Sequence, residues 1–394
     1  MTLDLATIAE RISLLVGSLD PERDRDRFDA LDRAWAEADS AEITARLAHG
    51  KPGFLVARTN EQLQATHPLP AIPFDYSVAA TDGSLIAPDR HSPVRFYLLN
   101  IGKVRLEYGS SPAAELTNEP DLRFEERDLF VPDEVQRIPV NESILGVKRA
   151  CAELHAAVDL LDPTGTVVAL QDGTLILWAT DSLHDAVRDW AVAEFVAALR
   201  LFRDRGVPLA SYVSAPGSAD VMNALRVSLC DYPQRGWPVD CVDCRTRILS
   251  ESHTPVCDIL PSVTDRYLFD RVACLRDGER SALFDSASKI LTKYDDDLRI
   301  QFFFLNVGTE IARVEIPRWV GDSPELLDRV HAVIYDQAQK GRGYPVALQE
   351  AHEMAVISTS DRRLVEELIE RQLAGLGIVM TWSGKSGSKR GRFV

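Results

Sequence analysis

Hydrophobic periodicity divides the chain into helical and strand-like stretches. Near the N-terminus Leu3, Leu5, Ile8, Ile12 and Leu15 recur close to helical spacing, and residues 1–50 read as helical. Pro21 to Asp32 is dense in Asp and Arg, with only Phe28 and Leu31 as a sparse apolar face, the pattern of a solvated charged helix. Lys51-Pro52-Gly53 is a break, and Pro68, Pro70 and Pro73 mark a linker. Ser77–Thr81 is then a short apolar run that ends at Asp82-Gly83-Ser84. Val94–Asn100 and Lys103–Tyr108 flank Ile101-Gly102 and read as the arms of an antiparallel hairpin. Glu115 to Arg137 is charged and irregular. Ile144, Val147, Cys151, Leu154, Val158 and Leu161 make one helical stripe, stopped by Asp162-Pro163-Thr164-Gly165. Thr166–Leu170 is a buried strand leading through Gln171 into Asp172-Gly173, and a long helix over Ser182–Phe202 follows. Val207–Val213 reads as a strand and Asp220–Ser228 as a helix, whereas Cys230–Asp265 has no period and reads as an insertion. Phe302–Val307 and Ala312–Ile316 are a second strand pair; Leu326–Ala338, Pro345–Ser358 and Asp361–Leu373 are helices. This order fits an α/β (α+β) sheet of mixed direction flanked by helices, not an alternating doubly wound sheet.

Composition adds a few exclusions. The 394 residues carry a net charge of −16, and their apolar and charged fractions are those of an ordinary globular protein, which excludes disorder for most of the chain. The acidic balance argues against coating nucleic acid through bulk charge, but a local basic channel is compatible with it. No apolar run approaches the roughly 18 residues needed to span a bilayer. The N-terminus carries acids early and lacks the basic start of a signal peptide. Six cysteines are too few for a disulfide scaffold, so the expectation is a cytoplasmic protein with no membrane partner.

The candidate chemistry lies in carboxylates. Asp82-Gly83-Ser84 and Asp172-Gly173-Thr174 each follow an apolar strand and end in a hydroxyl residue. Asp-Gly is a common turn pair, and one such motif alone carries little; its repetition after two buried strands carries more. Between them Glu153 flanks the apolar stripe of the helix that feeds the second strand, with Arg149 four residues earlier as a possible surface partner. Glu125, Glu126 and Glu142 also lie between the two motifs; Glu153 is preferred for its place on that helix. Asp on a first strand, Glu on a helix and Asp on a later strand is the arrangement of an RNase H-like nuclease core. There two divalent ions about 4 Å apart activate water and stabilise the leaving oxygen of a phosphodiester. Gly343-Tyr344-Pro345 opens a C-terminal helix on which His352 falls two turns in. An imidazole there softens an otherwise all-oxygen site and tilts it from Mg²⁺ towards Mn²⁺.

These residues resemble the NurA nucleases, partners of the HerA-type hexameric translocase in DNA end processing. The matching segments are VAATDGS (78–84), VVALQDGTLIL (167–177), SYVSAPGSADVMNALR (211–226), GERSALF (278–284), RVEIPRWV (313–320) and GYPVALQEAHEMAVIS (343–358). The resemblance implies an RNase H-like fold, a ring-shaped homodimer, and Mn²⁺-dependent 5′→3′ exonuclease and single-strand endonuclease activity on DNA. It implies Asp82, Glu153, Asp172 and His352 as metal ligands and Tyr344 as a further site residue. Arg280 in GERS is a candidate phosphate contact, or equally a structural ion-pair partner. A non-catalytic ring partner of the translocase and an RNA-directed nuclease of the same fold are the alternatives.

Two features stand outside that set. Cys230, Cys241, Cys244 and Cys257 lie within 28 residues and include one CxxC, a pattern compatible with structural Zn²⁺, with an iron–sulfur cluster, or with free thiols. Residues 383–394 form a basic tail. The expected organisation is an N-terminal helical region (1–70) and a nuclease domain (71–394) that carries a Cys-rich insertion at about 228–275.

Overall fold

The computed structural model describes residues 4–17, 21–89, 92, 94–132, 137–161, 167–180, 183–251 and 255–377. The basic tail and the Asp162–Gly165 stop lie outside them. Cα proximity groups the chain into two compact units. One comprises the chain to Thr66 with Pro216–Leu275 and Ser281–Ala287; the other comprises His67–Ala215, Arg276–Arg280 and the chain from Ser288. The Cys-rich segment therefore clusters with the N-terminal helices.

The second unit is built on a mixed sheet. Its main strands are β1 (Tyr76–Ile86), β2 (Tyr97–Tyr108), β3 (Ala113–Arg123), β4 (Val167–Asp172), β5 (Leu209–Val213), β6 (Ile300–Asn306) and β7 (Ile311–Pro317). They lie in the order β3-β2-β1-β4-β5-β7-β6. β2 runs antiparallel to both β1 and β3, whereas β1, β4 and β5 are mutually parallel. β7 returns antiparallel to β5, and β6 antiparallel to β7. The first five strands have the RNase H-like order, here extended by a further antiparallel pair.

Helix α1 (Glu142–Asp159) connects β3 to β4, and α2 (Asp185–Arg205) connects β4 to β5. Crossovers between parallel strands need such connections, and here the two helices pack against each other. Asn141 caps α1 by accepting a hydrogen bond from Ile144 N. The α1 stripe of Val147, Cys151, Leu154 and Val158 packs in one core with Ala191, Phe195, Leu199 and Phe202 of α2. Each fully buried leucine or phenylalanine contributes about 2 kcal/mol of transfer free energy to that core.

After β7 the chain forms α3 (Pro324–Lys340), α4 (Val346–Ala355) and α5 (Thr359–Gly375). Side chains alternate along β1, so Thr81 and Gly83 face α1 while Asp82 and Ser84 face α4. Gly102 lies opposite Asp82 in the register. A Cβ at Gly102 would stand 2.2 Å from Ala351 O and 2.7 Å from Ala355 N, so α4 lies directly on the strand backbone there. Asn100 Nδ2 donates to Ala355 O (2.8 Å) and Met354 O (3.2 Å), satisfying carbonyls that the end of α4 leaves open.

Three readings of the pattern are corrected. Residues 97–108 form one continuous strand, not a hairpin turning at Ile101-Gly102; the glycine serves helix approach rather than a turn. β1 does not end at Asp82 but continues to Ile86. Only its pairing with β4 stops there, at Thr81↔Gln171, while pairing with β2 runs on to Ile86↔Leu98. The segment Glu115–Arg137 begins within the eleven-residue strand β3 and takes in its last nine residues. As the outermost strand of the order, β3 is exposed along almost its whole length, so it has no apolar alternation to read.

The first unit holds helices Leu5–Gly17, Pro21–Glu37, Ser40–Leu47, Asp220–Ser228 and Cys241–Glu251. The last of these falls in the segment read as aperiodic, and its short polar sequence has no apolar stripe. Buried Asp265 accepts from the backbone N–H groups of Asp220, Val221 and Met222 at 2.8–3.0 Å, capping the Asp220 helix from a distant segment. Among the described residues no helix is long and apolar enough to cross a membrane.

The Gly102 contact gives a direct test. Gly102→Ala forces α4 off β2 and is expected to cost about 1–3 kcal/mol, an overpacking penalty. Thermal denaturation then shows a midpoint several degrees lower; an unchanged midpoint would mean that α4 does not rest on Gly102.

Candidate active site

The cleft opens where β1–β4 pairing stops. It measures about 460 Å³ and is lined by Asp82, Gly83, Arg149, Glu153, Asp172, Gly173 and His352, among others. Asp82 comes from the middle of β1 and Asp172 from the last residue of β4. Glu153 enters from α1 and His352 from α4. The structure thus brings together four of the residues singled out in the sequence. Tyr344, just before α4, joins them by donating its hydroxyl to Asp172 Oδ1 (2.8 Å). His352 Nδ1 lies 2.7 Å from Asp82 Oδ2, and its side chain is 64% exposed at the mouth. Glu142 opens α1, and Glu125 and Glu126 lie at a short helical turn; none of the three lines the cleft.

Glu153 is the buried member, 3% exposed. Thr81 Oγ1 donates to its backbone carbonyl (2.8 Å), and Gln171 Nε2 to its Oε2 (2.8 Å). Its Oε1 accepts no hydrogen bond and has Arg149 Nε at 3.4 Å. Burial pushes this carboxyl up to about 8; Arg149 and the Gln171 hydrogen bond oppose the shift, and the charges of Asp82 and Asp172 reinforce it. Burial and the neighbouring Asp172 likewise raise the Tyr344 hydroxyl, which stays a proton donor.

Further residues, missed in the sequence, hold these groups. Glu315 on β7 accepts from Thr174 Oγ1 (2.7 Å) and Leu175 N (2.9 Å) through one oxygen and from Arg313 Nε (2.9 Å) through the other. This pins the turn after Asp172. Arg313 is itself stacked on Phe302 at 3.6 Å. Glu310 accepts from Tyr212 OH (2.8 Å), Ser214 Oγ (2.9 Å) and Ala215 N (3.0 Å), and the Tyr212 ring meets Tyr344 edge-on at 5.4 Å. The signal for Glu315 was a charged pair inside an apolar strand, where a lone charge is too costly to bury.

Three carboxylates and an imidazole on one cleft, with one buried carboxylate oxygen unshared, match the donor chemistry of a divalent cation. Among the described residues no group of three or more His, Cys, Asp or Glu side chains is drawn together to hold a metal ion. In the cleft each carboxylate is engaged by a protein group: Asp82 by His352, Asp172 by Tyr344, and Glu153 by Gln171 and Arg149. The fit lies in donor type and placement rather than in closed coordination.

The other expectations fall elsewhere. Arg280 is 5% exposed with its guanidinium 5.7 Å from the Phe303 ring centre, and it does not line the cleft. So buried, it fits the structural one of the two readings its sequence allowed. Cys230, Cys241, Cys244 and Cys257 are free and partly buried. Burial first, and then the neighbouring thiols, push Cys241 up to about 12; burial, and then Asp258, push Cys257 up to about 11. The four share one neighbourhood but do not converge as a ligand set. Contacts of Tyr232 with Trp237 and of Arg247 with Trp237 also knit that segment.

Glu153 provides a test of this electrostatic account. Its folded value lies above its ordinary 4.5, so the folded state binds the proton more tightly. Its contribution to stability is therefore full below about pH 4.5 and is lost as pH rises towards about 8. Glu153→Gln, measured in EDTA, is expected to raise the melting temperature by a few degrees at pH 8 and by little at pH 4.5. Equal effects at both values would exclude a desolvated carboxylate.

Comparison with known proteins follows the same line. No curated protein sequence matches the chain. Among solved structures it is similar to "Crystal structure of LC9-RNase H1, a type 1 RNase H with the type 2 active-site motif", at 13% identity over 39% of this chain and 71% of that one, with a TM-score of 0.19. A likeness that slight carries no argument. The NurA domain, by contrast, matches residues 76–357, from the start of β1 to just beyond α4. That span takes in the strands and helices that form the cleft, and the chain belongs to the NurA family, a family of nucleases.

Proposed function

We propose that this protein is a metal-dependent deoxyribonuclease, a 5′→3′ exonuclease and single-strand endonuclease that trims DNA ends during double-strand break repair. The observation that carries this reading is the convergence of Asp82, Glu153, Asp172, Tyr344 and His352 on one cleft of an RNase H-like sheet. Asp82, Glu153, Asp172 and His352 would hold the cation, with Mn²⁺ favoured by the imidazole and Mg²⁺ also accommodated. Such a cation supplies Lewis acidity, lowering the pKa of water and stabilising charge on the leaving oxygen.

The chain's own residues do the rest. Asp82 and Asp172 place their carboxyl groups side by side at the cleft. Tyr344, protonated and held edge-on by Tyr212, orients the Asp172 carboxylate through its hydrogen bond. His352 does the same for Asp82 and, being exposed, meets an incoming backbone first. Glu315 keeps the Gly173-Thr174 turn from collapsing into the cleft. The proposed working form is a cytoplasmic homodimer acting with a HerA-type hexameric ATPase.

The test is cleavage of labelled single-stranded and duplex DNA with Mn²⁺, Mg²⁺ or EDTA, alone and with that ATPase. Wild type is expected to cut with Mn²⁺, and Asp82→Ala to lose about 100-fold or more of the rate. Cleavage that persists in the folded variant would exclude this site.

A further inference from the structure

The cleft contains a charged side chain with no assigned part. Arg149 lies one turn before Glu153 on α1. Its Nη1 donates to Gly83 O (2.6 Å) and lies 3.9 Å from Asp82 Oδ1, and its Nε lies 3.4 Å from Glu153 Oε1. The only one of these contacts that is a hydrogen bond goes to a backbone carbonyl. Both carboxylates are held at ion-pair distance, without the two-pronged geometry an arginine uses when it is locked to one partner.

The buried pair Arg313–Glu315 shows the contrast. It is closed at 2.9 Å with both side chains almost fully buried, and it is stacked on Phe302. The Arg149 side chain is 38% exposed, so its long arm has a route into solvent. The strand opposite is shaped around it: a Cβ at Gly83 would stand 2.7 Å from Glu153 Oε1 and 2.8 Å from Arg149 Cγ. The cleft it lines also holds Asp82, Glu153, Asp172 and His352.

We propose that Arg149 is the resident counter-cation of this cleft, competing with the divalent cation for the oxygens of Asp82 and Glu153 and so setting the concentration at which the site fills. This rests on the metal-dependent reading above. A cation on those oxygens and a guanidinium within 4 Å of them repel each other, so one leaves as the other enters. The Gly83 carbonyl gives the arm an anchor at the cleft wall that does not depend on either carboxylate.

The experiment is calorimetric titration with Mg²⁺ at about pH 9, above the value to which burial pushes Glu153. Arg149→Gln is expected to bind Mg²⁺ about tenfold more tightly than wild type. Arg149→Lys, which keeps the charge, is expected to stay near wild type. In Arg149→Ala, millimolar guanidinium ion should weaken Mg²⁺ binding competitively and leave wild type unaffected. Circular dichroism confirms that each variant is folded. Equal or weaker binding by folded Arg149→Gln, with wild type binding and cutting, overturns the competition and leaves the nuclease reading intact. If neither wild type nor variant binds Mg²⁺, and neither binds Mn²⁺ when that ion is titrated instead, the metal-dependent reading fails and this proposal with it.

Discussion

Parallel pairing between β1 and β4 runs for five residues and stops at Thr81↔Gln171, and the rest of the site depends on that stop. Up to it the two strands share backbone hydrogen bonds, and their side chains are buried on both faces. Beyond it β1 has, among the described residues, β2 as its one strand partner, and β4 turns away through Gly173. Asp82 and Asp172 are the first residues past the last rung. They therefore sit on rigid backbone yet border a gap. Helices on opposite faces then reach that gap, α1 with Glu153 and Arg149, α4 with His352. A site built from element ends and helix sides in this way keeps its geometry better than one built on loops.

The cleft's electrostatics follow from the same placement. Three carboxylates near one another make the cleft a place where positive charge is favoured. Glu153, the most buried, feels this most. The protein meets the cost with a neutral donor from Gln171 and one flexible cation. Glu315, deeper still, is instead locked by a fixed arginine and two donors. One carboxylate is poised for exchange and the other is committed to structure.

Much of this was legible in the chain. The α1 stripe, the strand before Asp172 and the helix at Asp220–Ser228 rest on local periodicity, and the structure has each within a few residues. The repeated Asp-Gly motif drew attention to both aspartates, although Asp82 lies inside its strand. What was not legible depended on neighbours distant in sequence. Gly102 looked like a turn residue because α4, some 250 residues later, is what requires it. β3 looked irregular because it is exposed along almost its whole length. Arg280 looked available because its burial against Phe303 is a tertiary fact. Arg149 read as a surface partner, for its distance from Gly83 cannot be seen in spacing.

The outer strand β3 has one more consequence. Among the described residues no strand pairs with its outer edge, and an edge eleven residues long invites another chain to continue the sheet. Its sequence resists that. Pro120 removes one donor from the strand, and Glu115, Glu119, Asp121 and Arg123 crowd it with charge that a second strand would have to neutralise or bury. Lys103 of β2 reaches across to Glu119 and draws that side chain back over its own sheet. The irregular charge that hid β3 in the sequence is thus what keeps the sheet finite, a safeguard against aggregation written into its last strand.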